Sequence, residues 1–371
     1  SPTRTRSCWK TSTRCCTHVD TDANAPLRVA ILYTSEKRLS DLARVLAKHD
    51  LAVIGRHPVG TVTLEQVNAV RADVILVDLD ETADQVLDIL QTLLETAQLP
   101  ILFNDSATNE LSANAANPEW GRRLSAKLWS ITTRQRPPPK PAGSPAWVAA
   151  AKLKTAPGKL PREAPPENVA TSHAALENLW VLGASLGGPL AVREFLGKLP
   201  GDLPVAFVLA QHIGASHLDL LAEQLDRVTP LRVFVATTGH VLKHREVVLA
   251  PVEERIVIDP LGRITLKEKT ERSIYRPCID FVMQDMARRY GKYCGAIIFS
   301  GMGNDGELGC NAVAAGGGDV WAQDAESCVI SSMPDNARKT GHVTFSGTPE
   351  ELAGALVKRF QDKMSKPVLD N

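Results

Sequence analysis

Between Trp180 and Pro189 an apolar run, Trp180-Val181-Leu182, gives way to glycines that flank one serine, Ser185. An amphipathic segment from Leu190 to Leu199 follows. A buried strand, a tight turn and a helix are the local structures this order allows. Such a turn exposes the serine oxygen at the carboxyl end of a strand and aims backbone N–H groups at whatever binds there. Serine hydrolysis needs that geometry, a nucleophile beside donors for a developing oxyanion. Phosphate-cradling turns and plain strand–helix links share the pattern, so a base and an acid must come from elsewhere in the chain.

The same alternation runs through the rest of the sequence. Leu27 to Tyr33, Ala52 to Val62, Val74 to Val77 and Leu99 to Phe103 are strand-like. Helical periodicity separates them at Glu36 to Lys48, Leu64 to Arg71 and Val86 to Leu94. A second series has strand candidates at Trp180–Leu182, Val205–Ala210, Leu231–Val235, Glu246–Ala250, Arg255–Ile258 and Ala296–Phe299. Alternating β and α elements predict α/β architecture with doubly wound parallel sheets.

Between the two series, prolines 137, 138, 139, 141, 145, 157, 161, 165 and 166 mark a solvated linker. The expected organisation is a tail over 1–25, a front domain over 26–131, a Pro-rich linker over 132–175, a second domain over 176–362 and a tail over 363–371. The first tail is rich in Thr, Ser and Arg, has no apolar core and reads as disordered rather than as a secretory signal.

Charge excludes some classes. Lys and Arg number 42 and Asp and Glu 42, so no basic footprint for nucleic acid exists. No run reaches the roughly 18 apolar residues that a membrane helix needs. The seven cysteines form no disulfide framework, which suits reduced thiols in a cytoplasmic protein. Cys8, Cys15, Cys16 and His18 fit no common zinc spacing.

Two further strands end in chemistry. Val205–Ala210 runs into Gln211-His212, and Ala296–Phe299 into Ser300-Gly301-Met302-Gly303-Asn304-Asp305-Gly306. Ligands of open parallel sheets bind outside the carboxyl ends of strands, so Ser185, His212 and Asp305 can converge as a triad. Each has a plainer alternative: a linking turn, a core histidine, an Asn-Asp turn. His217 reads as a helix-surface residue. Asp280 is a rival acid, but it enters a helix and suits that helix's N-terminus. The order Ser, His, Asp differs from the Ser, acid, His order of α/β-hydrolases, which argues against that fold.

The quoted segments resemble the bacterial chemotaxis-type protein-glutamate methylesterases. The similar motifs are G-A-S-L-G-G-P at 183–189, A-Q-H-I at 210–213, L-A-P at 249–251, R-P-C-I-D at 276–280 and S-G-M-G-N-D-G at 300–306. A-Q-D-A-E-S-C-V at 322–329 and M-P at 333–334 complete them. The resemblance implies a three-layer αβα domain that hydrolyses glutamate γ-methyl esters on chemoreceptor helices, releases methanol and also deamidates glutamines. It implies Ser185 as nucleophile, His212 as base and Asp305 as orienting acid. Met302 and Gly187 fall at the oxyanion site and Arg276 near the substrate, with a surface ion pair as the alternative for Arg276. No metal or cofactor is called for. A non-catalytic receptor-binding adaptor of the same fold is the second reading.

Departures accompany the match. Leu186 follows the nucleophile where the family usually has Thr. Tyr275 precedes Arg276-Pro277 where His is frequent, and Cys278 follows it in place of Ser. The front domain resembles an eroded, flavodoxin-like response-regulator receiver. Asp78 falls at the phosphoacceptor position. The acidic pair that holds Mg²⁺ in receivers is replaced by Tyr33-Thr34-Ser35, and the usual lysine has no counterpart, Lys127 lying in a helical segment. Asp78 is therefore either a phosphoacceptor or a strand-end residue of a docking domain. The partners implied are chemoreceptor helices and, through the front domain, a histidine kinase or adaptor.

Overall fold

The computed structural model describes residues 26–63, 65–66, 71–79, 86–97, 99–105, 118–133, 176, 178–268, 273 and 275–364. The tail cysteines, the Pro-rich segment and most of the helix expected over 64–71 lie outside the described residues. So does the end of the chain beyond Met364.

The front sheet comprises β1 (Leu27–Tyr33), β2 (Leu51–Pro58), β3 (Val74–Leu79) and β4 (Ile101–Asp105). Its order is β2-β1-β3-β4 and every pairing is parallel. The expected strand over 52–62 ends at Pro58, where Val59–Thr61 forms a single 3-10 turn. Helices α1 (Glu36–Ala47), α2 (Leu87–Thr96) and α3 (Pro118–Thr133) accompany the sheet. Lys127 sits in α3, as the periodicity predicts. Val29, Ile31, Val74 and Leu76 pack with Leu39, Leu42, Leu124 and Leu128 on one face. Ala30, Leu32, Ile75 and Val77 pack with Leu90 and Leu93 on the other. This alternation of neighbours is the period-two signature of strands buried on both faces.

The larger unit is built on seven parallel strands in the order β13-β12-β11-β5-β6-β8-β7. They are β5 (Leu179–Ala184), β6 (Ala206–Gln211), β7 (Arg232–Val235), β8 (Glu246–Leu249), β11 (Cys294–Ile298), β12 (Val320–Gln323) and β13 (Val343–Gly347). Helices α4 (Gly188–Gly197), α5 (Leu218–Asp226) and α9 (Pro349–Met364) lie with Trp180, Leu182, Phe207 and Phe299 on one face. Helices α6 (Ile279–Tyr290), α7 (Glu307–Ala315) and α8 (Ser332–Lys339) lie with Val181, Val208 and Ile298 on the other. The result is three layers.

A departure from pure parallel winding is the antiparallel hairpin β9 (Glu254–Ile258) and β10 (Ile264–Glu268). The strand expected over 255–258 is therefore half of a ribbon outside the main sheet. Edge strand β13 carries little apolar signal because its middle residues are exposed.

Chain order places β5 at the centre. From β5 the chain first fills the side that reads β6-β8-β7 outward, and later adds β11, β12 and β13 on the other. The crevice at such a reversal is where open α/β sheets bind ligands, and Ser185 follows β5 directly.

Candidate active site

Three adjacent strands, β11, β5 and β6, deliver the three candidate residues to one edge. Ser185 follows β5, His212 follows β6, and Asp305 lies on the loop between β11 and α7. All three are buried. His212 Nε2 lies 2.9 Å from Asp305 Oδ2. Ser185 Oγ and His212 Nδ1 are both buried without a hydrogen-bond partner among the described residues. Ser185 and His212 line one cleft with Leu186, Pro189, Gln211, Ile213 and, from α2 of the front unit, Gln91.

The turn after β5 is held by its neighbours. Ser185 N donates to Ser300 O at 3.0 Å, and Gln211 Nε2 donates to Ser185 O at 2.8 Å and to His212 O at 3.0 Å. Gln211 thus ties the candidate nucleophile's backbone to that of the candidate base. Gly187 has φ +79°, and a Cβ there would lie 2.6 Å from Val329 Cβ. The turn therefore requires glycine both for its backbone and for its close approach. Pro189 then opens α4 in the first turn, where its missing N–H costs nothing.

Asp305 is fixed by four donors. Oδ2 accepts from Ile279 N at 2.7 Å and faces His212; Oδ1 accepts from Asp280 N at 2.9 Å and from the Cys278 thiol at 3.6 Å. The first turn of α6 thus points its free amides at the acid and fixes its place. Asp280 caps the other helix: its Oδ1 accepts from Gly306 N at 3.0 Å and Gly309 N at 2.7 Å. Burial and the neighbouring Asp305 charge push Asp280 up to about 6. Burial, then the Asp305 charge, push the Cys278 thiol up to about 11, so it stays protonated and is no rival nucleophile.

The remaining expectations fare differently. Met302 is buried, in the loop strapped by Ser332 Oγ, which donates to Gly301 O and accepts from Gly303 N, both at 3.1 Å. Arg276 pairs with Glu253 at 3.0 Å, with both side chains exposed, so the structure gives the surface pair weighed for it. His217 lies in a 3-10 turn, exposed as expected, though outside the α-helix that follows.

Asp78 ends β3 and is buried. Its Oδ1 accepts from Arg38 Nη2 at 2.9 Å and Asn104 Nδ2 at 2.6 Å, while Arg38 Nη1 donates to Leu79 O at 3.3 Å. A guanidinium from α1 stands against the carboxylate where a receiver would hold Mg²⁺. Residue spacing alone offers no reason to pair Arg38 with Asp78. Leu186 is explained by the front unit: with Met302 and Ile330 it joins the apolar cluster of Leu79, Leu90 and Leu93. A hydroxyl there would face hydrocarbon.

Two contacts escaped sequence reasoning. Gln211 precedes the histidine and offered only its place in A-Q-H-I as a signal. Tyr275 stacks on His212, with ring centroids 5.2 Å apart and planes 4° from parallel.

A buried serine at the switch point of a parallel sheet, on the strand next to the one that carries a histidine bonded to an aspartate, is the layout of a serine-type hydrolase outside the α/β-hydrolase fold. The family model for CheB methylesterase matches residues 180–356. A protein-glutamate methylesterase/protein-glutamine glutaminase 5 of Myxococcus xanthus is 30% identical over 349 residues, covering 90% of this chain and 98% of the relative. A protein of the same description from Pseudomonas putida, of the group 1 operon, is 28% identical over 330 residues, covering 80% and 89%. The crystal structure of the Thermotoga maritima CheB methylesterase catalytic domain aligns with TM-score 0.47 and 29% identity, over 49% of this chain and 98% of that one. The chain belongs to the CheB methylesterase family.

Proposed function

We propose that the protein is a serine-type protein-glutamate methylesterase. It hydrolyses γ-methyl esters of glutamate on chemoreceptor helices, releases methanol, and deamidates receptor glutamines through the same acyl intermediate. One observation carries the reading: His212 is bonded to Asp305 through Nε2, its Nδ1 is buried without a hydrogen-bond partner among the described residues, and the residue lines one cleft with Ser185.

His212 Nδ1 takes the Ser185 proton as Oγ attacks the ester carbon. Asp305 holds the ring in the tautomer that leaves Nδ1 free to accept, and stabilises the imidazolium that forms. Backbone amides of the Gly187 turn and of Met302 receive the oxyanion. His212 gives the proton to the leaving group, which departs as methanol or ammonia, and water then attacks the acyl-enzyme by the same route. Arg276, at the exposed rim, meets the receptor rather than the reacting atoms.

The front unit, taken as 26–131, covers this site through Leu79, Leu90 and Gln91. The linker, 132–175, and the tails, 1–25 and 363–371, lie outside the catalytic unit, 176–362. Arg38 holds Asp78 as a structural ion pair, so a binding partner such as a kinase or adaptor, rather than phosphate on Asp78, moves the front unit. Chemoreceptor signalling helices are cytoplasmic, which places the enzyme there. Among the described residues no helix is long and apolar enough to cross a membrane.

The test is methanol release from a methyl-labelled receptor fragment by the intact chain and by Ser185→Ala. Release that disappears in the variant supports the reading. Receptor binding without release by either protein would favour the adaptor.

A further inference from the structure

One side chain covers the face of the candidate base without taking part in proton transfer. The Tyr275 ring lies parallel to the His212 imidazole, 4° between planes and 5.2 Å between centroids. Its hydroxyl donates to Asn304 Oδ1 at 3.1 Å. Asn304 immediately precedes Asp305, so the loop that carries the acid also anchors the stacked ring. The loop is shaped to admit it. Gly303 has φ +89°, and a Cβ there would come within 2.7 Å of the Tyr275 hydroxyl.

The Nε2 bond to Asp305 fixes one edge of the imidazole and leaves the ring free to turn about that bond. A parallel ring against its face removes this freedom. The same π face attracts a cation, and His212 becomes one only after it accepts the serine proton. The contact is therefore stronger in the transition state than before it, which is the condition for accelerating the chemical step.

We propose that Tyr275 is a positioning residue for His212: it locks the imidazole plane with Nδ1 toward the Ser185 cleft and stabilises the imidazolium. The proposal rests on the assignment of Ser185 and His212 above. It gives a function to a position where this chain departs from the family's frequent histidine, and predicts that any flat aromatic serves there.

The experiment compares full-length wild type, Tyr275→Phe and Tyr275→Leu in methanol release from a methylated receptor fragment. The ¹H shifts of the His212 ring are recorded by NMR on the same samples. Leu lowers kcat by about tenfold with KM unchanged and removes the ring-current displacement of the His212 protons. Phe keeps that displacement and restores kcat to within about threefold of wild type, because it preserves the ring that makes the cation contact. Tyr275→Met replaces the Leu variant if the latter melts below the assay temperature. Wild-type kcat in the non-aromatic variant, or equal loss in Phe and Leu, overturns the proposal. So does a loss seen in KM alone. The NMR signal needs no substrate. Wild type that stacks normally but releases no Ser185-dependent methanol instead overturns the functional assignment, and the proposal with it.

Discussion

Asp280 and Asp305 cap each other's helices. Asp305, just before α7, accepts from Ile279 N and Asp280 N at the start of α6. Asp280, in the first turn of α6, accepts from Gly306 N and Gly309 N at the start of α7. Two helix N-termini thus exchange carboxylates, and the acid that meets His212 is part of the exchange. The arrangement holds Asp305 in place, and it sets a second, partly buried carboxylate beside the first.

The pH dependence of stability follows from that crowding. Burial and the Asp305 charge raise Asp280 from 3.8 to about 6 in the folded protein. The folded state therefore binds a proton that the unfolded state has released between pH 4 and 6. Stability from this group is complete below about pH 4 and declines as pH rises to about 6. Asn at 280 keeps an oxygen for both amides and removes the charge. Asp280→Asn should gain on the order of 1–2 kcal/mol over wild type at pH 7, allowing for solvent screening of a partly exposed group. Denaturant melts at pH 4, 5, 6 and 7 should show the two proteins diverging as pH rises. Parallel curves would refute the assignment.

Asp305→Asn should retain the fold, since one amide oxygen can still cap α6, at a cost of about 1 kcal/mol. Turnover should fall by up to about 10⁴-fold, because a donor in place of the acceptor selects the wrong imidazole tautomer. Circular dichroism and methanol release on one preparation separate the two effects. Full turnover would make Asp305 a purely structural cap.

Arg38→Met removes the guanidinium that pairs with the buried Asp78 carboxylate. Breaking a buried pair in this way costs about 3 kcal/mol. Adding Asp78→Asn should recover most of it, because the charge that Arg38 met is removed as well. Thermal melts of the single and double variants provide the check, and additive losses would show that the pair contributes little.

Gln91 is the front-unit side chain that shares the cleft with Ser185 and His212. Gln91→Ala should raise kcat/KM on a receptor fragment several-fold, while leaving Leu90 and the apolar contact intact. Unchanged kcat/KM would mean that α2 does not restrict entry.

Much of this was legible in the amino-acid order. Strand–turn–helix at Ser185, the strands running into His212 and toward Asp305, and the two α/β series are local patterns. They follow from residue period, from glycine at a left-handed turn and from proline in a helix's first turn. The β9–β10 hairpin and edge strand β13 were less legible, because a short half-exposed strand leaves little apolar signal.

The tertiary structure decided which side chains meet. Nothing in the spacing of Arg38 and Asp78, of Tyr275 and His212, or of Asp280 and the α7 amides predicts contact. Those pairs form because strand ends, loops and helix starts far apart in the chain converge in each unit, where buried polar groups must find partners from whatever the fold brings near. Sequence supplied the nucleophile, base and acid as types at strand ends. Packing fixed their orientation, their charges and what covers them, since these depend on distances between residues that no local period records.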